Sequence, residues 1–147
     1  MNNPLKYFIV GVIFWFLVDF TTTEAIRNPG FYYSVYMPAL LIFYIGYPLL
    51  FSFLIYKFNF EGKKLLITTL IAAFFLEAVV FQNPLLTTFP MLFIGIPAAI
   101  SLYGFITYGP KWIVNGEIKN NKGKLTIMIL VYVLISLATV LGTGSGS

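Results

Sequence analysis

Two acidic residues lie inside long apolar stretches, where an ionised side chain is costly. Asp19 follows Lys6 by thirteen residues, and Glu77 follows Lys64 by the same distance. At about 1.5 Å per helical residue, each carboxyl group would lie roughly 18 Å inside a membrane core that is about 30 Å thick. Carboxylates at this depth usually face a bundle interior and mark a path for an ion, a proton or a substrate. The alternative is a protonated carboxyl group that is hydrogen-bonded to a hydroxyl or backbone carbonyl group.

Paired glycine and proline residues are the second candidate feature. The pattern Gly-x-Pro-x-x-x-Ser occurs twice, as Gly46, Pro48 and Ser52 and as Gly95, Pro97 and Ser101. A proline inside a helix removes a backbone hydrogen bond, and a glycine weakens the same turn. Interrupted helices at corresponding positions of two halves are typical of transporter sites. We therefore predict helix breaks at Gly46/Pro48 and Gly95/Pro97 that shape a pathway, the alternative being packing kinks.

Polar residues near the carboxylates complete the predicted pathway. Gln82 and Asn83 follow Glu77 at the outer end of its apolar stretch, although Asn83 precedes a proline, which is also an ordinary turn signal. If Asp19 and Glu77 face each other, their charges interact and the pair would hold a shared proton or a cation. The predicted ligand or ion pathway consists of Asp19, Glu77, Gln82, Asn83, Ser52 and Ser101.

The residues that most often bind metals or attack substrates are missing, because the sequence contains no Cys and no His. Zinc, haem and iron–sulfur sites with these ligands, disulfide bonds and catalytic triads are therefore excluded. We expect no metal, no cofactor and no catalytic residue. The nine basic residues lie beside apolar stretches, so they are better explained as topology signals than as contacts to nucleic acid.

The composition indicates an all-α integral membrane protein whose first partner is the lipid bilayer. Charged residues make up 10% of the chain, against about 25% in soluble domains, which excludes a soluble, disordered or coiled-coil protein. Apolar runs of about 20 residues are long enough to cross a bilayer. Five such runs predict transmembrane helices at residues 7–23, 35–56, 65–82, 89–108 and 125–141. The short connection 83–86 predicts a tight hairpin between the third and fourth helices.

The basic residues also predict the orientation. With the N-terminus inside, all eight lysines lie on the cytoplasmic side and Arg27 lies outside. Because cytoplasmic loops are enriched in basic residues, we predict a multi-pass protein of the cell membrane with a cytoplasmic N-terminus and an extracytoplasmic C-terminus. Residues 142–147 have the composition of a linker or a cloning remnant, so the predicted bundle is residues 1–141.

An internal repeat is predicted from features that recur in the same order. Residues 6–60 and 64–112 each contain a lysine, a carboxylate thirteen residues later, an Asn-Pro pair and the Gly-x-Pro-x-x-x-Ser pattern. Both copies begin inside, so they would form two parallel-repeat helical hairpins with a site between them. The helix at 125–141 has no counterpart. The alternative is chance similarity between apolar sequences.

Two local strings resemble a known family. Residues 6–11, Lys-Tyr-Phe-Ile-Val-Gly, followed by Asp19, resemble the opening of the GtrA-like family. Residues 52–57, followed by Phe60, are similar to the end of that family's second helix. GtrA-like proteins are small four-helix membrane proteins implicated in moving lipid-linked sugars. The resemblance implies a flippase-like role as one alternative.

Three functions are compatible with the sequence. The leading hypothesis is a transporter- or channel-like bundle that binds or relays a cation, a proton or a small ligand at Asp19 and Glu77. Five helices are few for a complete transporter, so we expect a homo-oligomer or a partner membrane subunit. The second hypothesis is a non-catalytic assembly, accessory or lipid-binding subunit. The third is an intramembrane enzyme that modifies a lipid by acid–base chemistry, although we favour a protein without enzymatic activity.

Overall fold

The computed structural model describes residues 2–20 and 37–143. These residues form six α-helices, one π-helical segment and one 3-10 turn, and no β-strand is found among them. The helices are α1 Asn3–Phe20, α2 Met37–Tyr56, α3 Gly62–Phe74, α4 Pro84–Thr87, α5 Leu92–Asn115 and α6 Lys122–Thr143. The π-helical segment Phe75–Val80 continues α3, and the 3-10 turn Lys119–Asn121 precedes α6. The prediction of an all-α fold is therefore confirmed for this part of the chain.

Each of the five predicted spans coincides with one helical element. In chain order they correspond to α1, to α2, to α3 with its π-helical continuation, to α5 and to α6. Two of the helices, α1 and α5, are long and apolar enough to cross a membrane by length and composition among the residues searched. The end of the first predicted span, the start of the second, the outer Arg27 and the tail from residue 144 lie outside the described residues.

The connection between the third and fourth predicted spans is not the tight hairpin that the sequence predicts. It contains α4, a separate helical turn that lies against α5. Asn83 begins this turn, because its side-chain Oδ1 accepts the backbone N–H of Leu85 at 3.1 Å and its carbonyl accepts that of Leu86 at 2.9 Å. Gly95 permits the close approach, since a side chain there would overlap the Leu85 carbonyl. The two spans still pack together, with α4 placed beside them.

The prolines do not break the helices. α2 continues through Gly46 and Pro48, and α5 continues through Gly95 and Pro97. Pro48 is fully buried against Gly11 of α1, where an added Cβ atom would lie 2.8 Å from the Pro48 Cβ. Pro48 removes one backbone hydrogen bond of α2. At the same position α1 and α2 are in close contact. α2 and α5 are thus continuous at these four positions, and a pathway shaped by them stays a prediction.

The helices are apolar on the outside and carry hydroxyl groups on the inside. α5 is the central helix and packs against α1, α3, α4 and α6, while α1 also packs against α2. α1 buries Tyr7 and Trp15, α2 buries Tyr44 and Tyr47, and α5 buries Tyr103 and Thr107. Large aliphatic side chains are exposed along every long helix, as at Leu17, Ile42, Ile71, Ile94 and Leu134. Extended apolar surface of this kind marks a protein that is covered by other molecules.

The lysines gather at one end of the bundle. Ser52 Oγ, near the end of α2, donates to the carbonyl of Pro4 in the first turn of α1 at 2.8 Å, and Tyr56 Oη donates to Asn115 Oδ1 at the end of α5 at 2.9 Å. The start of α1 and the ends of α2 and α5 therefore lie together. This region, called the lysine-rich end below, is flanked in sequence by Lys6, Lys57, Lys63, Lys64, Lys111, Lys119, Lys122 and Lys124.

Candidate functional site

Glu77 lies in the π-helical segment and is held by two neutral donors. Tyr103 Oη donates to its Oε1 at 2.8 Å, and Asn83 Nδ2 donates to its Oε2 at 2.7 Å. One ion pair, Lys111–Glu117, is found within residues 2–20 and 37–143. No basic side chain in these residues therefore forms an ion pair with Glu77. Both carboxylate oxygens therefore act as hydrogen-bond acceptors.

The π-helical segment and the turn after it place Asn83 beside Glu77. The backbone N–H of Phe81 donates to the Leu76 carbonyl, and that of Asn83 donates to the Glu77 carbonyl at 2.8 Å. Between them Gln82 adopts a left-handed backbone conformation with φ of 49° and an exposed side chain. Such π-helical segments occur frequently at functional sites. Gln82 thus contributes a backbone turn, while Asn83 contributes a hydrogen bond to the carboxylate.

Asp19 is the second carboxylate, and Tyr44 Oη of α2 donates a hydrogen bond to its Oδ2. Each carboxylate therefore bonds a tyrosine on a neighbouring helix, Asp19 on α2 and Glu77 on α5. The rings of Tyr44 and Tyr103 both lie beside that of Trp15. The structure thus places the two carboxylates on the same aromatic cluster, each with its own tyrosine.

That aromatic cluster surrounds Trp15. The centroid of its ring lies 6.0 Å from that of Tyr44, 5.2 Å from that of Tyr47 and 5.7 Å from that of Tyr103. Trp15 is 5% exposed, and its Nε1 has no hydrogen-bond partner among the described residues. Buried polar atoms are usually hydrogen-bonded, so this N–H group is an exception within residues 2–20 and 37–143. We call Trp15, Tyr44, Tyr47 and Tyr103 the aromatic cluster.

Further hydroxyl groups connect this cluster with the lysine-rich end. Tyr47 Oη and Thr107 Oγ1 are 2.7 Å apart, and either atom can be the donor. Tyr7 Oη donates to the Thr107 carbonyl at 3.1 Å. The ring of Tyr7 then meets that of Tyr56 edge to face, with centroids 5.9 Å apart. Hydroxyl-bearing side chains thus follow one another along the interface of α1, α2 and α5.

The remaining predicted pathway residues lie away from the carboxylates. Ser52 bonds Pro4 and lines a largely apolar groove of about 500 Å³ at the lysine-rich end. Ser101 is half-buried on α5, and no hydrogen bond in the described part of the chain joins it to either carboxylate. Gly46 and Pro97 are exposed on their helices, whereas Gly95 and Pro48 pack against neighbouring elements. The structure therefore brings together Glu77 and Asn83, with Asp19 across the aromatic cluster.

Sequence reasoning missed the tyrosines and Thr107 because it counted tyrosine as part of the apolar runs. A signal was present in their spacing. Tyr44 and Tyr47 are three residues apart on α2, and Tyr103 and Thr107 are four apart on α5. Residues at these spacings share one face of a helix. Hydroxyl groups that repeat on one face of an otherwise aliphatic helix predict a polar interface.

A separate ionic network lies at the lysine-rich end, outside the predicted spans. Lys111 Nζ lies 3.2 Å from Glu117 Oε2, and Asn115 Nδ2 donates to Glu117 Oε1 at 3.0 Å. Partial burial alone would raise the pKa of Glu117. The hydrogen bonds from Asn115 and Lys111 and the charge of Lys111 outweigh that effect, so the pKa of this carboxyl group lies below its ordinary value.

Comparison with known proteins gives no match of any of three kinds. No family model matches the chain, and neither a curated protein nor a solved structure is significantly similar to it. The similarity to GtrA-like proteins therefore stays a resemblance of two local strings.

Proposed function

We propose that this protein is a small membrane-embedded helical bundle, of transporter or channel type, that binds and passes on a proton or a cation at Glu77. The observation that carries the proposal is the pair of hydrogen bonds from Tyr103 and Asn83 to the Glu77 carboxylate. Both donors are neutral, so neither of them brings a positive charge to the carboxyl group. A carboxylate inside an apolar bundle favours uptake of a proton or a cation, because it is poorly solvated there.

Membrane insertion is supported by the distribution of side chains. Aliphatic residues cover the outside of the bundle, and the hydroxyl groups face its interior. α1 and α5 have the length and hydropathy of spans. α3 and its π-helical continuation, Gly62–Val80, have about the length that a bilayer core requires. Together with α2 and α6 they would form five spans. The lysine-rich end of this bundle would face the cytoplasm.

Asp19 is the second acidic group of the proposed pathway. It lies towards the end of α1 that is remote from Lys6, as Glu77 lies remote from Lys64. The hydrogen bond from Tyr44 ties it to α2. An ion or proton that leaves Glu77 would pass the aromatic cluster to reach Asp19, because Tyr44 and Tyr103 of that cluster each bond one of the two carboxylates.

Substitution of Glu77 tests the proposal. The purified protein is reconstituted in liposomes, and the fluxes of protons, Na⁺ and K⁺ are measured with ion-specific dyes. Glu77→Gln should abolish the flux of the transported ion, while size-exclusion elution stays that of the wild type. Glu61→Gln is the matched control, because it makes the same chemical change at an exposed position between α2 and α3. Normal flux in Glu77→Gln would refute the proposal, as would wild-type vesicles that conduct no better than empty ones.

A non-catalytic assembly subunit is the second candidate, and α6 is the observation that favours it. This helix packs mainly against α5 and exposes Ile127, Leu130, Leu134 and Leu137 along one side. A surface of this kind is covered by lipid, by a second copy or by a partner subunit. Native mass spectrometry of the protein in nanodiscs separates these cases. A monomer with no associated subunit would count against the assembly role.

A further inference from the structure

We propose that the groove between the start of α1 and the end of α2 binds one anionic phospholipid, with the phosphate group at Lys57 and an acyl chain along the apolar lining. This inference rests on one part of the proposed function, the insertion of the bundle in a membrane with the lysine-rich end at the cytoplasmic surface. It does not depend on transport at Glu77. The volume of the groove, about 500 Å³, is within the range of small-ligand sites.

The lining of the groove is mainly apolar and comes from two helices. α1 contributes Leu5 and Phe8, and α2 contributes Leu49 and Phe53. The two α2 residues are four positions apart, so they share one face of the helix. Leu5, Leu49 and Phe53 are 46%, 44% and 48% exposed. An acyl chain that covers these side chains near the membrane surface removes them from interfacial water, which stabilises the bound lipid.

The groove is polar at one end. Lys57 follows the last residue of α2, and Asn2 precedes the first residue of α1. Lys57 Nζ lies 5.9 Å from the centre of the Phe53 ring and 6.0 Å from that of Phe58, so the ammonium group is held at the edge of the apolar lining. Asn2 Oδ1 accepts the backbone N–H of Leu5 at 3.3 Å, and its amide nitrogen is a further donor at this end.

The charge of Lys57 calls for an anionic partner. In residues 2–20 and 37–143 the ion pair found is Lys111–Glu117, so no acidic side chain there forms an ion pair with Lys57. The residues that line the groove include no Asp or Glu. Lys6, next to Leu5 in the sequence, is exposed and adds a second positive charge near this end. A group with negative charge is therefore the electrostatic complement of the groove.

The order of polar and apolar groups along the groove matches that of a phospholipid at the cytoplasmic surface. Leu49 precedes Lys57 by eight residues, which places it about 12 Å deeper along α2. With the lysine-rich end at the level of the headgroups, Lys57 lies beside the phosphates and Leu49 beside the hydrocarbon. A soluble anion has no chain to cover the apolar lining, and a zwitterionic lipid has no net charge to balance Lys57.

Native mass spectrometry of the purified protein in detergent tests the site. Dioleoylphosphatidylglycerol is the anionic probe, and dioleoylphosphatidylcholine has the same chains without a net charge. We expect the wild type to bind one molecule of the anionic lipid about fivefold more tightly than the zwitterionic lipid. Lys57→Gln should remove this difference by lowering the affinity for the anionic lipid about fivefold, because one basic residue near an anionic lipid surface contributes about that much.

Two further variants test the apolar lining and provide controls. Lys63→Gln makes the same chemical change at an exposed lysine that does not line the groove, and it should bind both lipids like the wild type. Leu49→Trp places a large ring in the groove and should lower the affinity for both lipids about tenfold. Leu50→Trp is its matched control, because Leu50 is exposed on the same helix outside the groove. Size-exclusion elution shows whether each variant folds.

The outcomes separate this inference from the proposed function. Equal affinity of the wild type for the two lipids, or wild-type affinity for the anionic lipid in Lys57→Gln, would overturn the site. A dimer that excludes the lipid, and that Leu49→Trp converts to a monomer, would overturn it in favour of a second copy in the groove. Glu77→Gln should bind the anionic lipid like the wild type. If Glu77→Gln also conducts normally, the transport proposal fails and the lipid site stands.

Discussion

Tyr103 Oη lies 2.8 Å from Glu77 Oε1, and this hydrogen bond joins the middle of α5 to the π-helical segment after α3. The same tyrosine ring meets Trp15 of α1 edge to face, with centroids 5.7 Å apart. The carboxylate is thus tied to the central helix and, through it, to α1. The candidate site is a junction between three helices, and rotation of any one of them would change it.

The orientation of the bundle can be read from cysteine labelling, because the natural sequence contains no cysteine. We expect Asn120→Cys, in the connection at the lysine-rich end, to react with a membrane-impermeant maleimide only after the cells are permeabilised. Thr88→Cys lies in the connection between α4 and α5 and should react in intact cells. Both positions are exposed. Labelling with the opposite pattern would reverse the topology, and equal labelling of both in intact cells would contradict the membrane placement of α5.

The two glycines of the repeated pattern should respond differently to alanine. An added Cβ atom at Gly95 would overlap the backbone carbonyl of Leu85, whereas one at Gly46 would meet nothing within 4 Å. We expect Gly95→Ala to lower the free energy of unfolding by about 1–3 kcal/mol, as overpacking does. Gly46→Ala should be neutral or stabilise the protein by up to about 1 kcal/mol, because alanine favours helix. Thermal melting in detergent measures both, and equal effects would disprove the contact between α4 and α5.

The buried hydroxyl group of Thr107 should contribute more to the free energy of unfolding than that of Thr69. Thr107→Val leaves the Tyr47 hydroxyl without its 2.7 Å partner and should destabilise the protein by about 1–3 kcal/mol. Thr69 is equally buried, but its hydroxyl bonds the Leu65 carbonyl of its own helix at 2.8 Å. Thr69→Val should therefore cost less than about 1 kcal/mol. The double variant Tyr47→Phe/Thr107→Val should cost less than the two single changes added together.

The ionic network at the lysine-rich end predicts a small loss of stability in acid. The pKa of Glu117 is lower in the folded protein than its ordinary value of 4.5. Its stabilising effect is therefore complete above about pH 4.5 and is lost as the pH falls through the folded-state pKa. The effect is small because the Glu117 side chain is 36% exposed. Melting temperatures between pH 6 and pH 3 should fall less in Glu117→Gln than in the wild type, and parallel curves would contradict the argument.

The helices could be predicted from the sequence because long apolar runs without charges have few other stable structures. The connection around Asn83 could not be predicted in the same way. The structure of this connection depends on the Asn83 side chain, which both starts α4 and bonds Glu77. An Asn-Pro pair allows either a plain turn or a new helix, and the choice is made by contact with α5. Local signals at this point were compatible with both.

The carboxylates were predicted from their cost in an apolar environment, but their partners were not. Tyr44 and Tyr103 lie 25 and 26 residues from Asp19 and Glu77, so the pairs depend on how two helices rotate against each other. In the register of the repeated Gly-x-Pro pattern, Tyr44 precedes its proline while Tyr103 follows its own. The two tyrosine–carboxylate pairs are therefore alike in chemistry and different in sequence position, and the internal duplication stays a prediction.

The position of α6 outside the core has a consequence for how the protein is made. The hydrogen bonds of the polar interior in the described residues join α1, α2, α5 and the segment around Glu77, all of which precede α6 in the chain. α6 covers part of α5; for example, the Met128 side chain lies over Gly104. During synthesis the interior is therefore able to close while the last helix is still being translated. Shortened chains that stop before residue 122 should already contain the buried hydroxyl groups in their final pairing.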